Sequence, residues 1–385
     1  MKVLAKKPIN IADYRDRARE VLPRPLFDYV EGGAEDEVTL RQNVSAFDSW
    51  SIAPQMGVAT KPSTTTNILG HQLRLPVLLA PCGVVQLLHP DGAVGVGSAS
   101  QNAGTIAVLS KIALCTPERL AESVPGPHWF QINAVGGRTG IEPMLERLKR
   151  GGYTGLVLTM DGPPPGNHER DKRHGFVPPV QVTPNLVTKL VAELATHPRW
   201  TARMLGSFES QRSTISDAVD VLRGTALGST ARFTWADVEW LRSEWPGSLV
   251  VKGVLSGDDA RRSRDAGADA VIVSNHGGRA LDYAPASLTA LPEVARAVGD
   301  STVVLLDGGV RRASGVVKAL CLGAAAVLIG RPYAYALACA GQEGVENLLS
   351  HIQSELLRTM TLMGVADIES LDASWLQATQ AGITP

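Results

Sequence analysis

Eight short apolar runs, separated for the most part by stretches of helical periodicity, constrain this chain more than any other feature. They occupy residues 76–80, 106–109, 129–132, 155–159, 248–251, 270–273, 302–306 and 326–329. Each is nearly uninterrupted rather than alternating apolar with polar, which is the pattern of strands buried on both faces of a parallel sheet. Segments between them, such as 117–122 and 258–267, keep one apolar face, and the second ends at the helix-stopping Gly267. Eight strand–helix units predict a closed (β/α)8 barrel of the TIM type, an α/β fold. An open doubly wound sheet would gather its polar residues at one switch point. Here they recur after almost every run, as Pro81-Cys82-Gly83, Ser110-Lys111, Gln131 with Asn133, Thr159 with Asp161, Lys252, Ser274 with His276, Asp307-Gly308-Gly309 and Gly330-Arg331. A barrel predicts that repetition, because its site is built on the loops at the C-terminal strand ends.

The rest of the chain is read around that barrel as one domain over residues 1–385, with the barrel at about 76–345. Residues 11–30 have helical spacing broken by Pro23-Arg24-Pro25, so an N-terminal extension of two helices is expected. The second stops at Glu31-Gly32-Gly33, and Glu35-Asp36-Glu37 opens another. Residues 162–235 form a long loop after strand four, with a helical stretch at 186–194 and His197-Pro198-Arg199-Trp200. An insertion of that length beside the active face is read first as a lid. Contact of residues 180–232 with a membrane surface or a partner subunit is the second reading. A helical region at 344–363 is expected to close the outer ring.

A net charge of −1 gives no electrostatic case for a nucleic-acid partner. The cysteines Cys82, Cys115, Cys321 and Cys339 lack metal-ligand spacing, so no metal site is expected and a reducing, cytoplasmic setting fits. The longest apolar run, 319–330, is too short to span a bilayer.

His276 is the strand-end side chain best suited to proton exchange near neutral pH. Lys252 ends an apolar strand and needs an anionic or hydrogen-bonding partner. Asp307-Gly308-Gly309-Val310-Arg311 and Gly330-Arg331 follow the last two strands, where this architecture cradles a phosphate. Ser110, Gln131, Thr159 and Ser274 suit the polar edge of an isoalloxazine. Tyr29, taken alone, reads as a packed aromatic at a helix end.

Together the motifs Ser274-Asn275-His276-Gly277-Gly278-Arg279 with Leu281-Asp282, Asp307-Gly308-Gly309-Val310-Arg311-Arg312 and Leu328-Ile329-Gly330-Arg331-Pro332 resemble the FMN-dependent α-hydroxy-acid oxidase and dehydrogenase family. That family includes glycolate oxidase, flavin lactate dehydrogenase and mandelate dehydrogenase. The resemblance runs from about residue 14 to about 364 and is extended by Phe27-Asp28-Tyr29 and 31–37. It implies FMN-dependent oxidation of a 2-hydroxy acid or related secondary alcohol to the keto product. In that reading His276 is the base, Asp161 orients it and Lys252 stabilises the reduced flavin, while Arg279 and Tyr29 hold the substrate. Pro81, Cys82, Gly83, Ser110, Gln131, Thr159, Ser274, Asp307, Gly309, Arg311, Gly330 and Arg331 line the cofactor. A homotetramer or octamer is implied as well, with oxygen, a quinone or another acceptor reoxidising the flavin. Gly83 stands where oxidases tend to have alanine, which leans toward a dehydrogenase.

Two departures from the family pattern bear on the substrate. Asn133 stands where a second tyrosine is usual, and His168 where a loop arginine is usual, so Asn133 and His168 face the substrate in place of those groups. Losing one of two guanidinium grips weakens carboxylate recognition by about 1.5 to 3 kcal/mol. An atypical substrate is therefore expected. The alternatives are a flavin-binding protein of weakened catalysis and another FMN barrel enzyme acting on a non-carboxylate substrate.

Overall fold

A computed structural model describes residues 7–134, 137–162, 165–175, 184–207 and 232–379. Three short strands, β1 (Trp50–Ile52), β2 (Thr66–Ile68) and β3 (His71–Leu73), precede the barrel. Its staves are β4 (Val77–Leu79), β5 (Val108–Ser110), β6 (Trp129–Ile132), β7 (Gly155–Thr159), β8 (Ser248–Val254), β9 (Ala270–Val273), β10 (Val303–Asp307) and β11 (Ala326–Ile329). They pair in the order β4-β11-β10-β9-β8-β7-β6-β5, all parallel. A parallel bridge between Leu79 and Ala107 joins β4 to β5 and completes the ring. All eight apolar runs are strands. A last strand, β12 (Leu376–Ala378), pairs antiparallel with β1 and was not anticipated.

Successive side chains of a strand alternate between faces, and here the alternation sorts the apolar residues into two cores. Leu78, Val108, Trp129, Val157, Val250, Ile272, Leu305 and Leu328 fill the barrel interior. Val77, Leu109, Phe130, Leu156, Val251, Val271, Leu306 and Val327 face the surrounding helices. Ile68 and Leu73 of the β2–β3 hairpin join the interior core. At Gly155 a Cβ would lie 2.5 Å from the Trp129 indole, so this glycine admits the largest interior side chain.

The prolines divide the N-terminal extension as expected into α1 (Ile11–Val21) and α2 (Arg24–Glu31), followed by α3 (Val38–Ser45). Asn10 caps α1 by accepting from the Asp13 N–H at 2.9 Å. The terminal helix runs over Arg331–Met363 rather than from 344, with a kink at Ala340–Gly341. Its first part, with Tyr333, Tyr335 and Leu337 buried, is covered on all sides and so lacks the amphipathic period that marks a surface helix.

Within the insertion the described helices are Glu169–His174, Pro184–Thr196 and Pro198–Gly206. The Glu193 carboxylate accepts from the Arg24 N–H at 3.0 Å, at the N-terminus of α2, and the Trp200 indole donates to Leu87 O at 3.1 Å. Much of the 180–232 stretch considered for membrane contact lies outside the described residues. Among those described, no helix is long and apolar enough to cross a membrane and no cluster suits a metal ion.

Candidate active site

The strand ends continue the inward phase of the barrel interior but change from apolar to polar. Counting in twos from Val108, Trp129, Val157, Val250, Ile272 and Leu305 reaches Ser110, Gln131, Thr159, Lys252, Ser274 and Asp307, all buried. These groups satisfy one another. Ser110 Oγ donates to Gln131 Oε1 at 3.2 Å, and Gln131 Nε2 donates to Thr159 Oγ1 at 3.0 Å. Lys252 Nζ donates to Ser274 Oγ at 2.8 Å and pairs with Asp307 Oδ2 at 3.1 Å. Burial alone would lower the Lys252 pKa, but the carboxylates of Asp307 and Asp161 outweigh it and hold the ammonium above the usual lysine range. The anionic partner demanded by Lys252 is thus Asp307, two strands away.

His276 stands just beyond β9 with a left-handed φ of 58°, followed by Gly277 and Gly278 at 64° and 76°. Its N–H donates to Ser274 Oγ at 3.0 Å, tying the turn to the strand end. Nδ1 lies 3.1 Å from Asp161 Oδ1, which leaves Nε2 free to face the mouth; the imidazole is 43% exposed and the carboxylate 10%. Burial works against the Asp161 charge, yet His276 and Lys252 outweigh it and keep its carboxyl below the usual range. This is the arrangement of a proton acceptor whose cationic form is stabilised by an adjacent carboxylate.

Asp161 reaches His276 because β8 bulges at Gly253. The register with β9 shifts between Lys252 and Val254, and a Cβ at Gly253 would lie 2.7 Å from Asp161 Cβ. A glycine within a strand pattern was the available signal for that bulge.

Tyr29, Gly83, Arg279, His168 and Asp171 form the second half of the site. The Arg279 guanidinium lies 4.7 Å over the Tyr29 ring, and its Nη1 donates to Tyr29 O at 2.6 Å and Gly32 O at 3.0 Å. A Cβ on Gly83 would lie 2.7 Å from the Tyr29 hydroxyl. His168 Nε2 donates to Arg279 O at 2.8 Å, while its Nδ1 is 3.5 Å from Arg279 Nη2. Asp171, a buried carboxylate that sequence reasoning passed over, sits 3.9 Å from the same Nη2. Arg170 offers no substitute cation, because it pairs with Glu37 and, at 3.5 Å, with Asp28. Asn133 follows β6, and its side-chain oxygen is buried without a hydrogen-bond partner among the described residues.

Asn43 and Asn275 were also missed as site-builders. Their amides pair reciprocally, Asn43 Nδ2 to Asn275 Oδ1 at 2.7 Å and Asn275 Nδ2 to Asn43 Oδ1 at 2.8 Å. Asn275 Oδ1 also accepts from the Gly278 N–H at 3.1 Å, so α3 holds the turn that bears His276 and Arg279. Asp282 accepts from the Val38 and Thr39 N–H groups at 3.2 and 2.8 Å, capping α3 from the same loop.

At the expected phosphate end, Gly309 has a φ of 81°, and a Cβ there would lie 1.8 Å from Asn43 O. Its glycine therefore admits α3 as well as any ligand. Arg331 donates to Val30 O, Gly277 O and Gly32 O at 2.8–2.9 Å, and so clamps α2 to the turn that bears His276. Burial, aided by the neighbouring cations Arg279 and Arg311, pushes its pKa down to about 10. Arg331 and Arg311 bring two guanidiniums to this end of the barrel, and a phosphate is the kind of anion such a pair would hold.

The "FMN-dependent dehydrogenase" family model matches residues 18–378. The chain belongs to that family. It is 40% identical to L-lactate oxidase of Nostoc sp. over 96% of this chain and 98% of the relative. The structure of the monotopic membrane protein (S)-mandelate dehydrogenase superposes with a TM-score of 0.88 at 34% identity, covering 97% of this chain and all of that one. Mandelate oxidase carrying an arginine-to-leucine change, solved with 2-hydroxy-phenylacetamide, gives a TM-score of 0.81 at 32% identity, covering 98% and 100%. As a family member the chain is an FMN-dependent oxidoreductase. The residues fit that cofactor: the buried Arg331 beside Arg311 suits its phosphate, and the buried polar ring at the strand ends suits the edge of a flat heterocycle.

Proposed function

We propose that this enzyme oxidises the hydroxyl-bearing carbon of an atypical 2-hydroxy acid or related secondary alcohol, with His276 as base. The observation that carries the reading is the His276–Asp161 pair, 3.1 Å apart, beside the buried Lys252–Asp307 pair. FMN, when bound, supplies the acceptor for a hydride, that is, for two electrons and one proton. Pro81, Cys82, Gly83, Ser110, Gln131, Thr159 and Ser274 would hold its ring system. Asp307, Gly309, Arg311, Gly330 and Arg331 would hold its ribityl phosphate, Arg331 by exchanging a carbonyl for the anion. Lys252 brings positive charge to the ring.

His276 Nε2 takes the substrate hydroxyl proton, and Asp161 stabilises the imidazolium so formed. Arg279 and Tyr29 orient the far end of the substrate. Asn133 and His168, which stand where the family pattern has a tyrosine and an arginine, weaken its grip on a simple carboxylate. A mandelate oxidase variant solved with 2-hydroxy-phenylacetamide supports a family site accepting a neutral head group. Residues 162–235 act as the lid, and the enzyme works in the cytoplasm as a homotetramer or octamer, reoxidised by oxygen, a quinone or another carrier. Membrane attachment through residues 180–232, suggested by the monotopic relative, is tested by fractionation of the expressed chain.

The test is anaerobic bleaching of the bound flavin by lactate, mandelate and bulkier or neutral analogues. Bleaching should require His276 and be slow with lactate. Persistence in His276→Ala, or lactate turnover at ordinary rates, refutes the reading.

A further inference from the structure

The peptide that joins Gly32 to Gly33 is held from both sides. Its carbonyl, Gly32 O, accepts from Arg279 Nη1 at 3.0 Å and from Arg331 Nη2 at 2.8 Å. Its N–H, that of Gly33, donates to Glu37 Oε1 at 3.0 Å. The C=O and N–H of one planar peptide unit point in opposite directions, so the carboxylate that fixes the one aims the other. With a glycine on each side, no side chain of its own keeps this peptide from turning. Gly33 also lets the segment close, since a Cβ there would lie 2.9 Å from Gly278 O and 3.3 Å from Glu37 Cγ. Glu35 and Asp36 of the same acidic run are exposed, whereas the Glu37 side chain is 16% exposed and turns inward. Its backbone is left-handed, with a φ of 58°, a conformation that glycine adopts without strain and glutamate does not. Its second oxygen, Oε2, accepts from Arg170 Nη2 at 2.5 Å, which fixes the carboxylate from the insertion. A strained residue held in this way points to work done by the side chain it presents.

Resting on the reading that Arg279 grips the substrate and Arg331 the cofactor phosphate, we propose that Glu37 is a positioning residue for both. By locking the Gly32–Gly33 peptide it holds the carbonyl that the two guanidiniums share, and so ties the substrate end of the site to the phosphate end. Without it the peptide turns, and each guanidinium must be ordered again when its ligand binds. The loss is partial, because Arg279 keeps Tyr29 O at 2.6 Å and Arg331 keeps Val30 O and Gly277 O at 2.9 Å. The His276–Asp161 pair is not part of this chain of contacts, so the proton-transfer step is left as it was.

The variant to test is Glu37→Gly, which removes the carboxylate while relieving the left-handed backbone; Glu37→Ala serves if the glycine variant does not fold. Asp36→Asn is the control, a charge change one residue away at a carboxylate that accepts from the Tyr283 hydroxyl at 3.3 Å. FMN release on dilution of each holoenzyme, read by flavin fluorescence, gives the FMN Kd. Anaerobic bleaching rates against the concentration of lactate, mandelate and mandelamide give KM and the saturating rate. In Glu37→Gly the KM of the compound that bleaches wild type should rise about tenfold and the FMN Kd about threefold, as two charged donors lose a fixed acceptor. The saturating rate should stay within about twofold of wild type. Glu37→Gln keeps an acceptor at Oε1 and should recover most of both losses. A folded Glu37→Gly that holds FMN and substrate as tightly as wild type, a loss confined to the saturating rate, or an equal loss in Asp36→Asn overturns the proposal. A wild type that holds FMN but is bleached by none of the three compounds defeats the oxidation reading, and FMN release alone then judges Glu37.

Discussion

Replacing Gly253 by alanine tests whether the β8 bulge is what brings His276 and Asp161 together. Gly253 has a φ of 106°, and its added Cβ would meet Asp161 at Cβ (2.7 Å), Cγ (2.9 Å) and the main-chain nitrogen (2.9 Å). The backbone conformation costs an L-residue about 1–2 kcal/mol. The clash involves a main-chain atom that cannot swing aside, and overpacking of that kind costs about 1–3 kcal/mol more. Gly152→Ala is the control, with a φ of 69° and nothing within 4 Å, so it carries the backbone term alone. With unfolding entropy of about 2.1 cal/mol/K per residue over 385 residues, a 4 kcal/mol loss lowers the melting temperature by about 5 °C and the control by about 1–2 °C. Asp161 must also leave its 3.1 Å contact with His276, so flavin reduction should slow by about a hundredfold in Gly253→Ala, the low end of what positioned proton transfer contributes. The assay pairs thermal melts with anaerobic stopped-flow reduction. A Gly253→Ala enzyme that melts with the control and reduces its flavin at the wild-type rate would refute the reasoning.

Three further outcomes are expected. Asn43→Leu and Asn275→Leu should each cost about 1–3 kcal/mol in urea unfolding, because each takes two hydrogen bonds from the buried amide that remains, and the double variant should cost less than their sum; strict additivity would count against the pairing. The stability advantage of wild type over Asp161→Asn should depend on pH. A carboxyl held below its usual range contributes stability above the ordinary value of about 3.9 and loses it as pH falls through the depressed one, so the advantage should be full at pH 7 and shrink only below about pH 4. A difference constant from pH 7 to 3 contradicts it. Gly83→Ala should leave folding nearly unchanged, since its Cβ meets the movable ends of Tyr29 and Ile112 at 2.7 Å, yet raise the substrate KM several-fold by displacing the Tyr29 hydroxyl; an unaltered KM would speak against that contact.

What could be read from the sequence follows the range of the interactions involved. The interior strands were legible because burial on both faces demands unbroken apolar runs. Their C-terminal edges were read one residue short at Ser110 and Asp307, since the last inward position is polar where the barrel opens. Lys252-Gly253 looked like a strand end because a cation and a glycine interrupt the run, whereas the strand bulges there and continues to Val254. Tyr29 read locally as packing, and its place under Arg279 depends on a contact 250 residues away in sequence. The Asn43–Asn275 pair and Asp171 were invisible for the same reason, since nothing in a local pattern marks an amide or carboxylate whose partner comes from another loop. Arg331, placed after Gly330, was read only as a phosphate ligand, and its second role, donating to Val30, Gly277 and Gly32, depends on contacts that no local pattern marks.

The two halves of the site are anchored differently, and that difference bears on how the enzyme could keep its reaction while changing its substrate. Ser110, Gln131, Thr159, Lys252, Ser274 and Asp307 stand on strands whose inward phase is set by the whole interior core, so moving one of them means slipping a stave of the barrel. Arg279, His168, Asp171 and Tyr29 stand on the turn after β9, the insertion and α2, and they touch mainly one another and local carbonyls, while Asn133 stands just past the end of β6. A substitution there alters the charge and hydrogen-bond polarity offered to the head group without disturbing the His276–Asp161 or Lys252–Asp307 pairs. Exchanging the loop groups alone, by Asn133→Tyr together with His168→Arg, should therefore shift preference toward carboxylates while the rate of reduction by a saturating good substrate stays within about tenfold. If that double variant gained carboxylate affinity only by losing the reduction step, the two halves would be coupled and the separation drawn here would be wrong.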